Sequence, residues 1–240
     1  METETMDFMD EYAGAGQEAF ADVSTRAIPF LGMVQPDSNI EDESNPAGTW
    51  HNSASGKNYG NLVRVVPLAF HTVWAERENE APYRTVARYA PHSIPVETRA
   101  PKAGKRGFPK MYSTTSGNEI VETYVYAVIL PDFPEDGLMY FSPSVISMRT
   151  CRGWNSQLFG QLLPNGKQAP VFAYSWQLLC ELVPNPQQPN KKISKFTRAS
   201  KDVVVNKELF TISVKPQLEV VRQTTLLIEA SSDTTDPVEE

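Results

Sequence analysis

Nineteen prolines are scattered along this chain of 240 residues, against thirteen glycines, and no repeat orders them. A proline inside a helix removes a backbone donor and collides with the preceding turn, so this spacing cuts the sequence into short pieces that suit strands and turns. The pieces are apolar enough to pack. Hydrophobic residues make up 40% of the chain and aromatics 10%, which is more than a disordered polymer carries. The clearest strand is EIVETYVYAVIL, Glu119 to Leu130, where β-branched and aromatic residues dominate and Pro131 closes the run.

Other segments read in the same way. TWHNSASGKNYGNLVRVVPLAF predicts strand, glycine-containing turn and strand, with Val63 and Val65 on one face of the ribbon and Val66, Leu68 and Phe70 available to the other. Thr72 to Glu76 either continue that strand or open a turn before the polar ERENEAP; YRTVARYA reads as a further strand. DFPEDG turns the chain so that LMYFS pairs back on the 119–130 run. The spacing of Trp154, Leu158, Phe159, Leu162 and Leu163 predicts a short helix from Asn155, with Asn155 or Ser156 as cap and Pro164 and Gly166 at its end. VFAYSWQLLCELV and VVVNKELFTISV read as strands, and Pro216 to Ala230 as a closing helix. The expected fold is mainly β: an OB-like barrel or a β-sandwich with one short helix and a C-terminal helix. The OB type is favoured because a five-stranded barrel with a late helix has this order of elements.

Charge divides the chain more sharply than hydropathy does. The formal net charge is -7, yet residues 1–22 hold seven acids and no base, and residues 229–240 hold Glu229, Asp233, Asp236, Glu239 and Glu240, again with no base. Seventeen acids remain against all 22 Lys and Arg in residues 23–228, so the body is basic. We divide the chain into an acidic flexible N-terminal segment (1–24), a β-rich nucleic-acid-binding body (25–228) and an acidic flexible C-terminal tail (229–240). Such asymmetry suits a body that meets a polyanion and tails that compete for its surface or recruit partners. No run of about 18 apolar residues occurs and the start METETMDFMDEY is acidic, so a cytoplasmic location and no membrane partner are expected. Cys151 and Cys180 lie far apart with no CxxC spacing and read as buried small hydrophobes.

Catalytic signatures are sparse. His51, His71 and His92 share no metal-ligand spacing, and GxSxG, GxxxxGK[ST] and GxGxxG are absent. The acids of EDE, ERENE and PEDG sit in polar turns, and the strands offer only Glu119, Glu122 and Glu181 to a metal-dependent nuclease. We therefore expect no enzyme, no catalytic residue, no metal and no cofactor.

Two basic stretches remain. RAPKAGKRGFPKMY carries Arg99, Lys102, Lys105, Arg106 and Lys110 with Phe108 and Tyr112; KKISKFTRASK carries Lys191, Lys192, Lys195, Arg198 and Lys201 with Phe196. Neither contains an acid, and both read as loops. Phosphates attract Lys and Arg through counterion release, while unpaired bases stack on aromatic rings, so cations interleaved with aromatics suit a single strand. The plainer reading makes both stretches solvated loops. Tyr124, Tyr126, Tyr174 and Trp176 alternate along two strands and form either a stacking platform or part of the core.

A basic β-rich body ending in the acidic SSDTTDPVEE resembles the single-stranded-DNA-binding proteins of bacteriophages. The series PAGTWHN, SGKNYG, VRVVPLAF, GWN and GKQAPVFAYSWQL is also similar to a family of phage proteins without assigned chemistry. The resemblance implies an OB-type barrel that coats exposed single-stranded DNA during phage replication or recombination, with the tail occupying the groove or docking replication proteins. Two departures stand out: the tail lacks the terminal aromatic many such proteins carry, and a second acidic segment lies at the N-terminus. The alternative is a structural or interaction protein of a virion or replication complex, and a metal-dependent nuclease ranks below it.

Overall fold

The computed structural model describes residues 29–79, 85–89, 91–100, 109–162, 166–185, 188–218 and 220–221. Both acidic segments and the core of the first basic stretch lie outside these residues.

Strands β1 (Leu31–Met33), β2 (Trp50–Asn52) and β3 (Asn58–Gly60) form a small antiparallel sheet in that order. The expected glycine turn closes it. The Asn52 carboxamide oxygen accepts from the N–H groups of Ala54 and Ser55, and Gly56 takes a φ of 72°, a left-handed conformation that a side chain would strain.

The chain then enters β4 (Leu62–Arg77), which resolves the open question at Thr72 in favour of one long strand. It is followed by β5 (Thr85–Tyr89), β6 (Val96–Arg99), β7 (Lys110–Ser113), β8 (Glu119–Ile129) and β9 (Met139–Phe141). Helix α1 (Met148–Phe159) precedes the long hairpin of β10 (Tyr174–Asn185) and β11 (Gln188–Val204). These strands make an eight-stranded antiparallel sheet ordered β11-β10-β4-β8-β7-β6, with β5 on β4 and β9 on β8. The register of β4 shifts between Pro67 and Ala69, where a proline without an N–H is tolerated. The architecture is a β-sandwich. Among the described residues neither sheet closes on itself, so the OB-like barrel gives way to its stated alternative.

Both faces of the large sheet are covered. On one, α1 and the small sheet enclose an aromatic core of Trp50, Tyr126, Phe141, Trp154, Trp176 and Phe196, each under 2% exposed. Tyr126 stacks on Trp154 at 4.6 Å between ring centroids, and the Trp50 indole donates to the Leu178 carbonyl at 3.1 Å. On the other face Val66, Leu68, Ala127 and Ile129 pack against Val214 and Val221 of a C-terminal helical segment.

That segment corrects two expectations. NKELFTISV is helical rather than extended: Asn206 caps Leu209 N–H, Lys207–Leu209 is α-helical and Phe210–Val214 continues as a π-helix. The closing helix therefore begins before Pro216; residues 219 and 222–230 of the expected helix lie outside the described residues. Helix α1 likewise starts at Met148, seven residues ahead of the expected Asn155, with Ser147 at its N-terminus and Gly160 after its end. Cys151 and Cys180 are buried and free, and burial pushes each thiol up to about 12, which leaves them protonated and unreactive at neutral pH.

One buried acid fastens the far end of β4. The Glu76 carboxylate accepts from Ser116 Oγ at 2.6 Å, Tyr89 Oη at 2.7 Å and Asn118 Nδ2 at 2.8 Å, and these bonds hold its pKa below the ordinary carboxylate value. A folded-state pKa below the unfolded one contributes stability above the unfolded value of 4.5 and loses it as pH falls through the folded value. Glu76→Gln is therefore expected to lower stability by about 1–2 kcal/mol at pH 7, with the gap to the parent closing in acid. Urea denaturation at pH 7 and pH 3 measures both, and a gap independent of pH would refute the assignment.

Candidate nucleic-acid interface

The two basic stretches stand apart. Sheet order puts β6 and β7 at one end and β11 at the other, five strand spacings or roughly 24 Å away. Of the first stretch, Lys102, Lys105, Arg106 and Phe108 lie outside the described residues. The remaining three are engaged locally: Arg99 pairs with Glu97 and lies over the Tyr112 ring at 4.4 Å, and Lys110 reaches Glu119 at 2.8 Å. Arg99 and Lys110 belong to strands rather than to a loop, and so does the whole second stretch.

Within β11 the residues diverge. Phe196 is wholly buried, with rings of Trp50, Phe141 and Trp154 around it at 5.5 to 6.2 Å, so it is unavailable to a base. Lys191, Lys192 and Arg198 are exposed and Lys195 is half-buried; none has a carboxylate partner among the described residues. Lys201 donates to Gln161 Oε1 at 2.9 Å and sits 4.4 Å over the Tyr174 ring. Of the alternating aromatics, Tyr126 and Trp176 are core, while Tyr124 and Tyr174 are only partly buried against it.

Helix α1 runs beside β11 and supplies what sequence reasoning missed. Its sequence MRTCRGWNSQLF holds two arginines and no acid, and both Arg149 and Arg152 face solvent. Arg149, Gly153 and Gln157 follow the four-residue spacing of one helix row. Across from them stand Thr197, Arg198 and Ala199, and the cleft between has a volume of about 300 Å³. Trp154 also lines it, and its indole N–H is buried with no hydrogen-bond partner. Among the described residues no carboxylate lines the cleft; Glu181, cross-strand from Lys195, accepts from the Thr197 hydroxyl at 2.5 Å. Starting the helix at Asn155 hid this arrangement by leaving Arg149 and Arg152 in an irregular segment. Chemically the cleft is a strip of forked N–H donors and positive charge, suited to oxyanions.

Among the described residues no cluster of three His, Cys, Asp or Glu side chains is placed to hold a metal, and no helix is long and apolar enough to cross a membrane.

Residues 1–231 match the family described as Pam3 phage gp34-like protein. The chain belongs to that family. It is accordingly a phage protein, and the match runs through the whole acidic N-terminal segment and body, including both basic stretches and the α1–β11 cleft. Neither a curated protein nor a solved structure matches it.

Gly153 gives a direct check on the cleft. No atom lies within 4 Å of where its Cβ would be, so the side of α1 facing the cleft is open there. Gly153→Ala is expected to raise stability by about 0.5–1 kcal/mol through helix propensity alone. A loss of stability in chemical denaturation would show that the cleft is filled.

Proposed function

We propose that this phage protein binds and coats single-stranded DNA during phage DNA replication or recombination, in the host cytoplasm and without turnover. The observation that carries the reading is the α1–β11 cleft: Arg149 and Arg198 converge on it, with Arg152, Lys195 and Lys201 on the same two elements and, among the described residues, no carboxylate along its walls. Lysine and arginine side chains free of acidic partners meet phosphates at the lowest cost, because no internal ion pair has to be broken. Half-exposed rings supply faces for bases beside the charge, Tyr174 beneath Lys201 and Phe159, 44% exposed, at the end of α1. Insertion of α1 into a duplex groove is disfavoured, since Trp154 and Leu158 bury its inner face against the sheet. Lys102, Lys105, Arg106 and Phe108, which lie outside the described residues, are assigned to DNA binding on the sequence alone.

The alternative, a virion or replication-complex interaction protein, rests on the end of the β10–β11 hairpin, where residues 188–192 are exposed. It predicts regular assembly and no oligonucleotide affinity.

Titration with a fluorescent oligo(dT) of about 30 nucleotides against a duplex of equal length separates the two, since a single-strand site covers some 4–16 nucleotides. Binding that prefers the single strand and weakens with salt is expected. Arg149→Glu with Arg198→Glu should weaken it more than tenfold and flatten the slope of log K against log salt by about 1.4, the loss of two phosphate contacts. Absence of binding even at low salt would give the interaction role the lead.

The tail acids should compete with the strand. Replacing Glu229, Asp233, Asp236, Glu239 and Glu240 by their amides in the full chain is expected to tighten binding, most at low salt. Unchanged affinity at low ionic strength would remove the tail from the mechanism.

A further inference from the structure

A second basic cleft lies where β4, β5 and β8 share one face. Cross-strand register sets Thr85 opposite Arg77, and Ala75 opposite both Arg88 and Val121. The end of β1 and the segment Ser142–Ser144 wall this face on either side, leaving a cavity of about 280 Å³ lined by Arg77, Arg88, Gln35, Thr85, Ser142 and Ser144 together with apolar groups.

Its polar groups are of two kinds. Gln35 and Thr123 are committed: the Gln35 amide donates to the Ser194 carbonyl at 3.1 Å and accepts from the Ser194 N–H at 3.1 Å, and the Thr123 hydroxyl donates to the Pro143 carbonyl at 3.2 Å. Among the described residues, the side chains of Arg77, Thr85, Ser142 and Ser144 have no hydrogen-bond or ion-pair partner, and Arg88 has only the Phe30 ring 5.8 Å from its guanidinium. Among the described residues no carboxylate lines the cavity. The nearest acid by register, Glu119 opposite Arg77, is paired with Lys110, and Glu76 is held by Ser116, Tyr89 and Asn118.

We propose that the Arg77–Arg88 cleft binds a phosphate monoester. Two forked guanidiniums carry two positive charges and hydroxyl donors surround them, which matches a terminal phosphate with its near-double negative charge and three free oxygens. A phosphodiester within a strand carries one charge and two free oxygens and leaves half of that set unmatched. The site stands on its own residues and holds whether or not the α1–β11 cleft binds DNA. The monoester comes either from a free nucleotide or from the 5′ end of a strand.

Calorimetric titration of the full chain with inorganic phosphate and with thymidine monophosphate tests it. Saturable binding with a dissociation constant of about 1 mM or tighter is expected for the nucleotide. Arg77→Gln and Arg88→Gln should each weaken binding tenfold or more with the thermal midpoint unchanged, whereas Arg149→Gln with Arg198→Gln should leave it intact. Comparing 5′-phosphorylated with 5′-hydroxyl oligo(dT) then identifies the source: a preference lost in the Arg77→Gln, Arg88→Gln double variant points to strand ends, and no preference points to free nucleotide. The proposal is overturned by absence of saturable binding of both phosphate probes. It is also overturned if binding follows Arg149 and Arg198, or if Arg77→Lys with Arg88→Lys binds as well as the parent, because diffuse charge would then suffice.

Discussion

Trp154 joins α1 to the large sheet, with its ring 4.6 Å from Tyr126, 6.0 Å from Phe196 and 6.2 Å from Trp176. The rings come from β8, β11 and β10, so one side chain ties the helix to three strands. Burying a tryptophan is worth about 4–6 kcal/mol of apolar transfer, and this outweighs the roughly 1–3 kcal/mol for an indole N–H left without a partner. The Tyr126 hydroxyl adds a polar latch by donating to Asn155 at 2.7 Å, and burial drives its pKa far above the ordinary phenol value. Because Gly153 adjoins Trp154 and Arg149 lies one turn earlier, the height and angle of the cleft wall are set by this contact.

The disposition of charge follows from which cations the fold leaves without acids. Arg64 pairs with Asp132 and Asp202, and Lys57 with Glu135 and Asp136, all on one side of the β3–β4 region. Arg99 and Lys110 are likewise consumed by neighbours on their own hairpin. Exposed pairs of this kind are worth little to stability, about 0–1 kcal/mol, but they cancel local potential. Among the described residues, the cations without a carboxylate partner include Arg149, Arg152 and Arg198 at the α1–β11 edge and Arg77 and Arg88 at the second cleft. The segment Ser142–Thr150 runs between them, with Ser142 and Ser144 lining one cleft and Arg149 and Thr150 the other.

Much of the strand framework was legible in the sequence because its signals are local. The 119–130 run, the hairpin through Gly56 and the return of LMYFS each depend on residues near one another in the chain. The errors have a different origin. VVVNKELFTISV is rich in β-branched residues, yet Leu209, Phe210 and Val214 find an apolar sheet face to cover and Asn206 caps the turn, so tertiary packing overrides propensity. Phe196 reads as a stacking residue because lysines flank it; register alone reveals that it pairs with Cys180 on the buried face. Arg77 and Arg88 were invisible as a pair, since only the β4–β5 register brings them to a common face.

An overall charge of -7 does not argue against a polyanion partner in this geometry. At physiological ionic strength the screening length is about 8 Å, so a phosphate at the α1–β11 edge responds to Arg149, Arg198 and their neighbours and barely to acids further off. Twelve of the 29 acids belong to residues 1–22 and 229–240, which act on the cleft only when they come within that distance. Under the proposed reading, tail and strand would be rivals for the same few guanidinium groups, and salt would weaken both contacts together. The strand, with one charge per nucleotide in regular succession, retains the advantage wherever it can span several cations at once. A tail of five acids in twelve residues is too sparse to match that spacing, so under the proposed reading it would act as a competitor displaced by DNA rather than a permanent plug.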